Sequence, residues 1–232
     1  MRLSIVVPAH NEEDNISQVV EEIERSLDLD YDLVIVNDHS TDRTKDCVLE
    51  LCRSYPNIKV MDNTYEKGFA NAVKFGLERV KTEAVVPVMA DLCDDITTIK
   101  EMFKKIQSGF DVVCGSRYIQ NGARAGGSRI KGFFSGFVGW SLHCLIGIPT
   151  HDIANAFKMY RKDVIEKIDI NAKGFEVSME IPLKAFFLGF KITEVPTCWK
   201  ERTKGKSNFK MFRLFPNYFK FYTWAIYKKI TG

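Results

Sequence analysis

Three carboxylates, Asp91, Asp94 and Asp95, fall inside five positions where the stretch VPVMADLCDD (86–95) leaves an apolar run. Two uses of that charge are open. Aspartates in the first turn of a helix are stabilised by the positive end of its dipole. Carboxylates gathered at a strand tip can instead hold a divalent cation against a phosphorylated substrate. Similar polar clusters follow other apolar runs, at 9–12, 37–41, 62–68 and 116–117. Loops are polar anyway, but the concentration of aspartate favours a site over chance placement.

The elements that must carry these clusters are legible as hydrophobic periods. Residues 3–8 form a β-branched run, followed by Ile16, Val19, Val20, Ile23 and Leu27 at helical spacing. Strands are expected at 33–36, 58–61, 84–89 and 112–114, with helices between them at 44–54, 69–80 and 99–106. Such alternation predicts an α/β fold with a mostly parallel central sheet and helices on both faces. Ligands then sit beyond the carboxyl ends of the strands, which is where all five clusters fall. The second half is less regular. It holds a Gly-rich loop at 122–127, a helix expected over 130–148, and strands at 157–160 and 192–195 flanking a helix around 179–188.

Bulk properties narrow the classes. The chain of 232 residues is 45% hydrophobic and 27% charged, enough for one substantial core. A net charge of +3 does not describe a nucleic-acid binder, and no nucleic acid is expected as a partner. After Glu201 every charged side chain is basic, which points to an anionic partner at that end. Six scattered cysteines without a CxxC read as free thiols of a reducing compartment. The first residues turn polar too early for a signal peptide, and the uncharged stretch 132–150 is marginal for crossing a bilayer.

Seven segments occur in one order: IVVPAHNEEDNI, VNDHSTDRT, EKGFANAVKFGL, MADLCDD, GSRY, DIANAFKMYRKDV and ERTKGKSN. On these the chain resembles the family-two glycosyltransferases of the GT-A fold, and within them the polyprenyl-phosphate sugar synthases. The resemblance runs over nearly the whole chain. It implies an inverting transfer of a hexose from a nucleotide diphosphate sugar, of the GDP-mannose or UDP-glucose type, to a polyprenyl phosphate.

That resemblance also assigns residues. Pro8, Asn11 and Glu12 would line the nucleoside pocket, and Asp38 would bind base or ribose; Lys67, Gly68 and Ser135 join the substrate-binding set. Glu12 and Asp38 also read as first-turn and turn residues. The family's Asp-x-Asp metal motif reads Met89-Ala90-Asp91, so Asp91 is the expected ligand of Mg2+ or Mn2+, with Asp94 a possible second. Asp95 is expected to start the next helix. Arg117 and Arg202 would hold phosphate with their planar forks, and Lys206 and Ser207 lie in the same late motif as Arg202. His10, Asn37, His39 and Asn208 depart from the usual family residues.

Asp152 stands at the acceptor-side aspartate. It would act as base on a hydroxyl acceptor, or orient the site if the acceptor is an ionised phosphate. Arg129, more than Arg124, is expected to meet the acceptor phosphate. Residues 1–208 would form the GT-A domain and 209–232 a C-terminal amphipathic helix. There, aromatics from Phe212 to Tyr227 alternate with Lys and Arg, suiting a membrane interface or the core. The expected place is peripheral, on the cytoplasmic face of the membrane. A GT-A transferase acting on a saccharide hydroxyl and a non-catalytic nucleotide-sugar-binding homologue remain alternatives.

Overall fold

A computed structural model describes residues 1–201 and 211–231. The first strand, β1 (Leu3–Ala9), is buried along its whole length and is an inner strand of the sheet. Its neighbours are β2 (Tyr31–Asn37) and β4 (Ala84–Pro87), both parallel to it, and β3 (Ile58–Asp62) adds beyond β2. The full order is β3-β2-β1-β4-β7-β5-β8, with β5 (Val112–Ser116), β7 (Lys158–Arg161) and β8 (Ile192–Pro196). Strand β7 lies antiparallel between β4 and β5, while β5 and β8 are parallel.

Strand alternation sets the two cores. Leu3, Ile5, Val7 and Ala9 face one layer with Leu33 and Ile35, while Val6 faces the other with Val34 and Val36. The first layer receives α1 (Ile16–Ser26) and α4 (Thr98–Gln107). The second receives α3 (Phe69–Arg79) and α7 (Val177–Phe187). Helix α3 seats at Gly76, where a β carbon would come within 2.3 Å of Val6 Cγ1. Helix α2 (Thr44–Ser54) completes the alternation of the first half, and the short α6 (Lys162–Lys167) follows β7.

Helix α5 (Arg129–Ile146) starts at Ser128, whose hydroxyl accepts from Lys131 N–H, and ends at Gly147 in the left-handed region (φ 80°). It starts one residue before the expected span and stops two short of it. A two-stranded sheet, β6 (Ala123–Ala125) with β9 (Cys198–Lys200), was not foreseen, nor was the direction of β7. Three-residue strands leave no period to detect, and strand direction is set by pairing.

The last helix, α8 (Met211–Thr231), is two-faced. Phe221 and Ala225 enter the core, and Tyr222 donates its hydroxyl to Ser141 Oγ of α5. Phe215, Phe219, Tyr227 and Ile230 stay exposed, as do Phe133, Phe137 and Trp140 on α5. No helix among the described residues is long and apolar enough to cross a membrane.

Candidate active site

The carboxyl ends of β1, β2, β3, β4 and β5 open onto one cleft of about 1590 Å3. That is larger than the ~300–1,000 Å3 of ordinary small-ligand pockets and has room for two substrates. Pro8, Asn11, Glu12, Asp38, Lys67 and Gly68 line one end, and Asp91, Asp94, Arg117 and Ser135 the middle.

The nucleoside end is stitched from three loops. Asn11 takes φ 54°, and its Oδ1 accepts the backbone N–H of Thr41 at 2.8 Å. Glu12 donates its N–H to Thr44 Oγ1, and its carboxylate accepts from Asn15. Asp38 is buried, accepting from Asn63 Nδ2 at 2.8 Å and from Gly68 N–H at 3.0 Å. Its carbonyl lies 2.7 Å from His10 Nδ1, which must therefore carry the proton. His39 also adopts a left-handed backbone (φ 55°) and reaches Tyr65 O through Nε2. Asn37 has a use an aspartate lacks: its amide donates to Asp62 Oδ1. That bond, with Lys45 beside it, holds Asp62 below the usual carboxylate range.

At the tip of β4 the three aspartates separate in role. Asp95 accepts from Thr97 N–H and Oγ1 in the turn that leads into α4, so it stands ahead of the helix whose first turn it was expected to occupy. Asp91 Oδ1 accepts from Cys93 N–H, across Leu92 at φ 57°. A leucine in the left-handed region is strained, and strain of this kind gathers at ligand sites. Asp94 is partly exposed along the loop, yet enough protein surrounds its carboxyl to push it up to about 7, with Asp91's charge the next cause. The loop is held from β9 by Lys200 N–H to Cys93 O and a bridge between Asp94 and Trp199.

No group of three or more His, Cys, Asp or Glu side chains forms a metal cluster among the described residues. The pair Asp91 and Asp94 still fits a hard divalent cation. Mg2+ is commonly held by one or two carboxylates, its shell being completed by substrate phosphates and water. Burial raises Asp94 most and the charge of Asp91 adds to it, and a bound cation would offset both.

Arg117 is the most constrained cleft residue. Asp152 Oδ2 accepts its backbone N–H at 3.0 Å and its Nε–H at 2.7 Å, and Oδ1 accepts Nη2–H at 2.8 Å. Nη2 also donates to Ser135 Oγ. Burial opposes the guanidinium charge, but Asp152 more than compensates and holds it above its ordinary value.

Two sequence expectations change here. Asp152 is fully buried and both its oxygens serve Arg117, so it stands behind the arginine and not as a base facing the cleft. Arg129 points to solvent from the first turn of α5, outside the cleft wall. Arg124 and Lys131 line the wall instead, Arg124 lying over the Trp199 ring at 5.1 Å and donating to Ser128 O. Sequence reasoning had no signal for Trp199, which reaches the site through the short β6–β9 pairing. Arg202, Lys206 and Ser207 lie outside the described residues.

The cleft also has an apolar lining: Phe134, Phe137 and Val138 of α5, with Phe215, Phe219 and Tyr222 of α8.

Known proteins are similar to this chain. The dolichol-phosphate mannosyltransferase of Pyrococcus furiosus is 32% identical over 90% of this chain, which spans 60% of that protein's length. The polyprenol monophosphomannose synthase of Mycolicibacterium smegmatis is 26% identical over 97% of this chain and 87% of its own. Among solved structures, glucosyl-3-phosphoglycerate synthase from Mycobacterium tuberculosis superposes with a TM-score of 0.73 at 17% identity, covering 97% of this chain and 80% of that one. Another structure of that synthase, with a TM-score of 0.69, contains Mn2+, UDP and glucosyl-3-phosphoglycerate. At such identity these structures speak for the GT-A fold alone. The model of "Glycosyl transferase family 2" matches residues 4–169, spanning the five strand ends and the Arg117–Asp152 pair, and the chain belongs to that family.

Proposed function

We propose that this chain transfers a hexose, mannose or glucose, from a nucleoside diphosphate sugar to a polyprenyl phosphate at a membrane surface. The observation that carries the reading is one cleft lined both by carboxylates and Arg117 and by aromatics of α5 and α8. Stacking on a base or a sugar occupies one or two rings and does not account for so many. An acceptor with a phosphate head and a hydrocarbon tail uses both kinds of lining.

In this reading Asn11, Glu12, Asp38, Lys67 and Gly68 hold the nucleoside, and Asp91 with Asp94 would hold Mg2+ or Mn2+. Such a cation supplies positive charge to the departing diphosphate when bound. Arg117, held by Asp152 and Ser135, has no protein partner at Nη1 among the described residues and presents that edge to phosphate oxygens. Arg202, Lys206 and Ser207 are proposed to join it. An acceptor phosphate oxygen attacks the anomeric carbon while the bond to the diphosphate breaks, inverting that centre. A phosphate monoester, with its second pKa near ~6, is already ionised and needs no base. The burial of Asp152 therefore favours phosphate over a saccharide hydroxyl as acceptor.

The exposed Phe133, Phe137 and Trp140, with Phe215, Phe219 and the lysines of α8, suit peripheral attachment to an anionic bilayer. Residues 209–232 would be the membrane-facing segment of a GT-A domain ending near 208. The test incubates the protein with polyprenyl phosphate, Mn2+ or Mg2+, and labelled GDP-mannose or UDP-glucose, followed by organic extraction. Label in the organic phase is expected with one donor. None with any donor rejects the reading.

A further inference from the structure

Lys158 is fully buried in β7, the strand that runs against its neighbours. Its register partner on β5 is Cys114, and nothing about that position calls for an amine. Burying one is costly unless its hydrogens are placed. Here they are placed on main-chain carbonyls: Nζ donates to Ile153 O at 2.9 Å and to Asn155 O. Both carbonyls belong to the turn that precedes the strand, and that turn begins with Asp152.

Further pins on the turn come from its own loop and from β5, α7 and α5. Thr150 Oγ1 accepts Asp152 N–H, Asn155 Nδ2 donates to Gly115 O of β5, and Ser178 of α7 donates to Ala154 O. Gly139 of α5 packs against His151 O so closely that a β carbon there would lie 1.9 Å away. Ala154, Asn155 and Ala156 form cleft wall, while Asp152 aims Arg117. The amine thus sits under the turn that joins the wall to the arginine. Burial holds its pKa below the usual lysine value, with Cys114, Asp152 and Asp94 opposing that and Arg117 adding to it.

We propose that Lys158 is a positioning residue for sugar transfer, its buried amine holding residues 152–156 in the shape that directs Arg117 into the cleft. The proposal rests on the reading of Arg117 as a phosphate ligand. Loss of the amine strands two buried carbonyls, the turn relaxes, and the carboxylate of Asp152 moves with it. Displacements of ~1 Å at a reacting centre cost on the order of 100-fold in rate, so turnover falls at least about tenfold.

The experiment uses the full chain with 15N-labelled arginine. The Nε–H of Arg117, bonded to a buried carboxylate, gives a slowly exchanging resonance, identified by its loss in Arg117→Lys. In Lys158→Met that resonance loses its protection while the amides of β1 and β2 keep theirs, and turnover per folded molecule drops. Lys158→Arg, which keeps cationic donors at the position, retains the resonance and most of the turnover. If Lys158→Met does not fold, Lys158→Gln is read in its place by the same two signals. A protected Arg117 resonance, or full turnover, without the amine overturns the proposal, as does equal damage from arginine and methionine. Full turnover by Arg117→Lys would instead overturn the reading of Arg117, leaving the resonance result to judge Lys158.

Discussion

Replacing Asp152 by asparagine separates a positioning role from a catalytic one. In the native protein this carboxylate accepts three N–H groups of Arg117, with side-chain exposures of 0% for the aspartate and 12% for the arginine. Screening by solvent is therefore slight, and the pair falls in the buried class. The amide retains one acceptor oxygen but turns an NH2 toward a donor of Arg117, leaving a buried guanidinium without its counter-charge. Breaking such a pair costs about 3–5 kcal/mol. At about 2–4 °C per kcal/mol for a chain of this size, the melting temperature drops by roughly 6–20 °C. Differential scanning fluorimetry at neutral pH measures the drop, and a transfer assay below the new midpoint measures turnover. A general base would give a different pattern, with a nearly unchanged midpoint and turnover lost because the base is gone. A midpoint within about 2 °C of wild type, with activity abolished, would refute the placement of Asp152 behind Arg117.

Three further outcomes are expected. Because Asp94 titrates at about 7, protons compete with a cation there, and Mn2+ or Mg2+ should bind about tenfold more weakly at pH 6 than at pH 8 by calorimetry. In the ion-free protein the sign runs the other way: the folded state binds a proton that the unfolded state has released, so this group's contribution falls as pH rises from about 4 to 7. Equal affinities at pH 6 and 8 would remove Asp94 from the ligand set. Gly139→Ala places a β carbon 1.9 Å from His151 O, and urea unfolding should show a loss of about 1–3 kcal/mol; an unchanged midpoint would mean α5 does not press on the turn as seen. Phe137→Ser with Trp140→Ser should weaken flotation with phosphatidylserine vesicles about tenfold or more while leaving UDP or GDP binding intact, and undiminished flotation would move the membrane contact elsewhere.

Much of the first half was legible because its signals are local. The continuous apolar runs at residues 3–8 and 33–36 and the helical spacing of Ile16, Val19, Val20 and Ile23 depend on near neighbours alone. The observed α1, α2, α3 and α4 follow them closely. Strand–helix alternation also fixes which ends of the strands share a rim, so Asn11, Asp38, Gly68, Asp91 and Arg117 could be placed together before any contact was known. Family motifs in one order did the rest for identity. Asp95 was readable as a residue near a helix start, although the helix itself begins three residues later.

What each of those residues does was decided by contacts between distant parts of the chain. Asp152 is a polar residue in a loop by sequence, and only the seating of α5 and β7 beside β5 buries it against Arg117. Sequence favours Arg129 over Arg124 as the cleft arginine because it leads into an apolar helix, but the pairing of β6 with β9 lays Arg124 over Trp199, and Arg129 stays exposed. Lys158 reads as an ordinary charged strand residue, yet an antiparallel strand inserted between two parallel ones carries its amine into the interior. Composition and periodicity record how each segment buries its apolar face. Charge, donor and acceptor roles depend on what stands within a few ångströms, and that is set by the pairing of strands far apart in sequence.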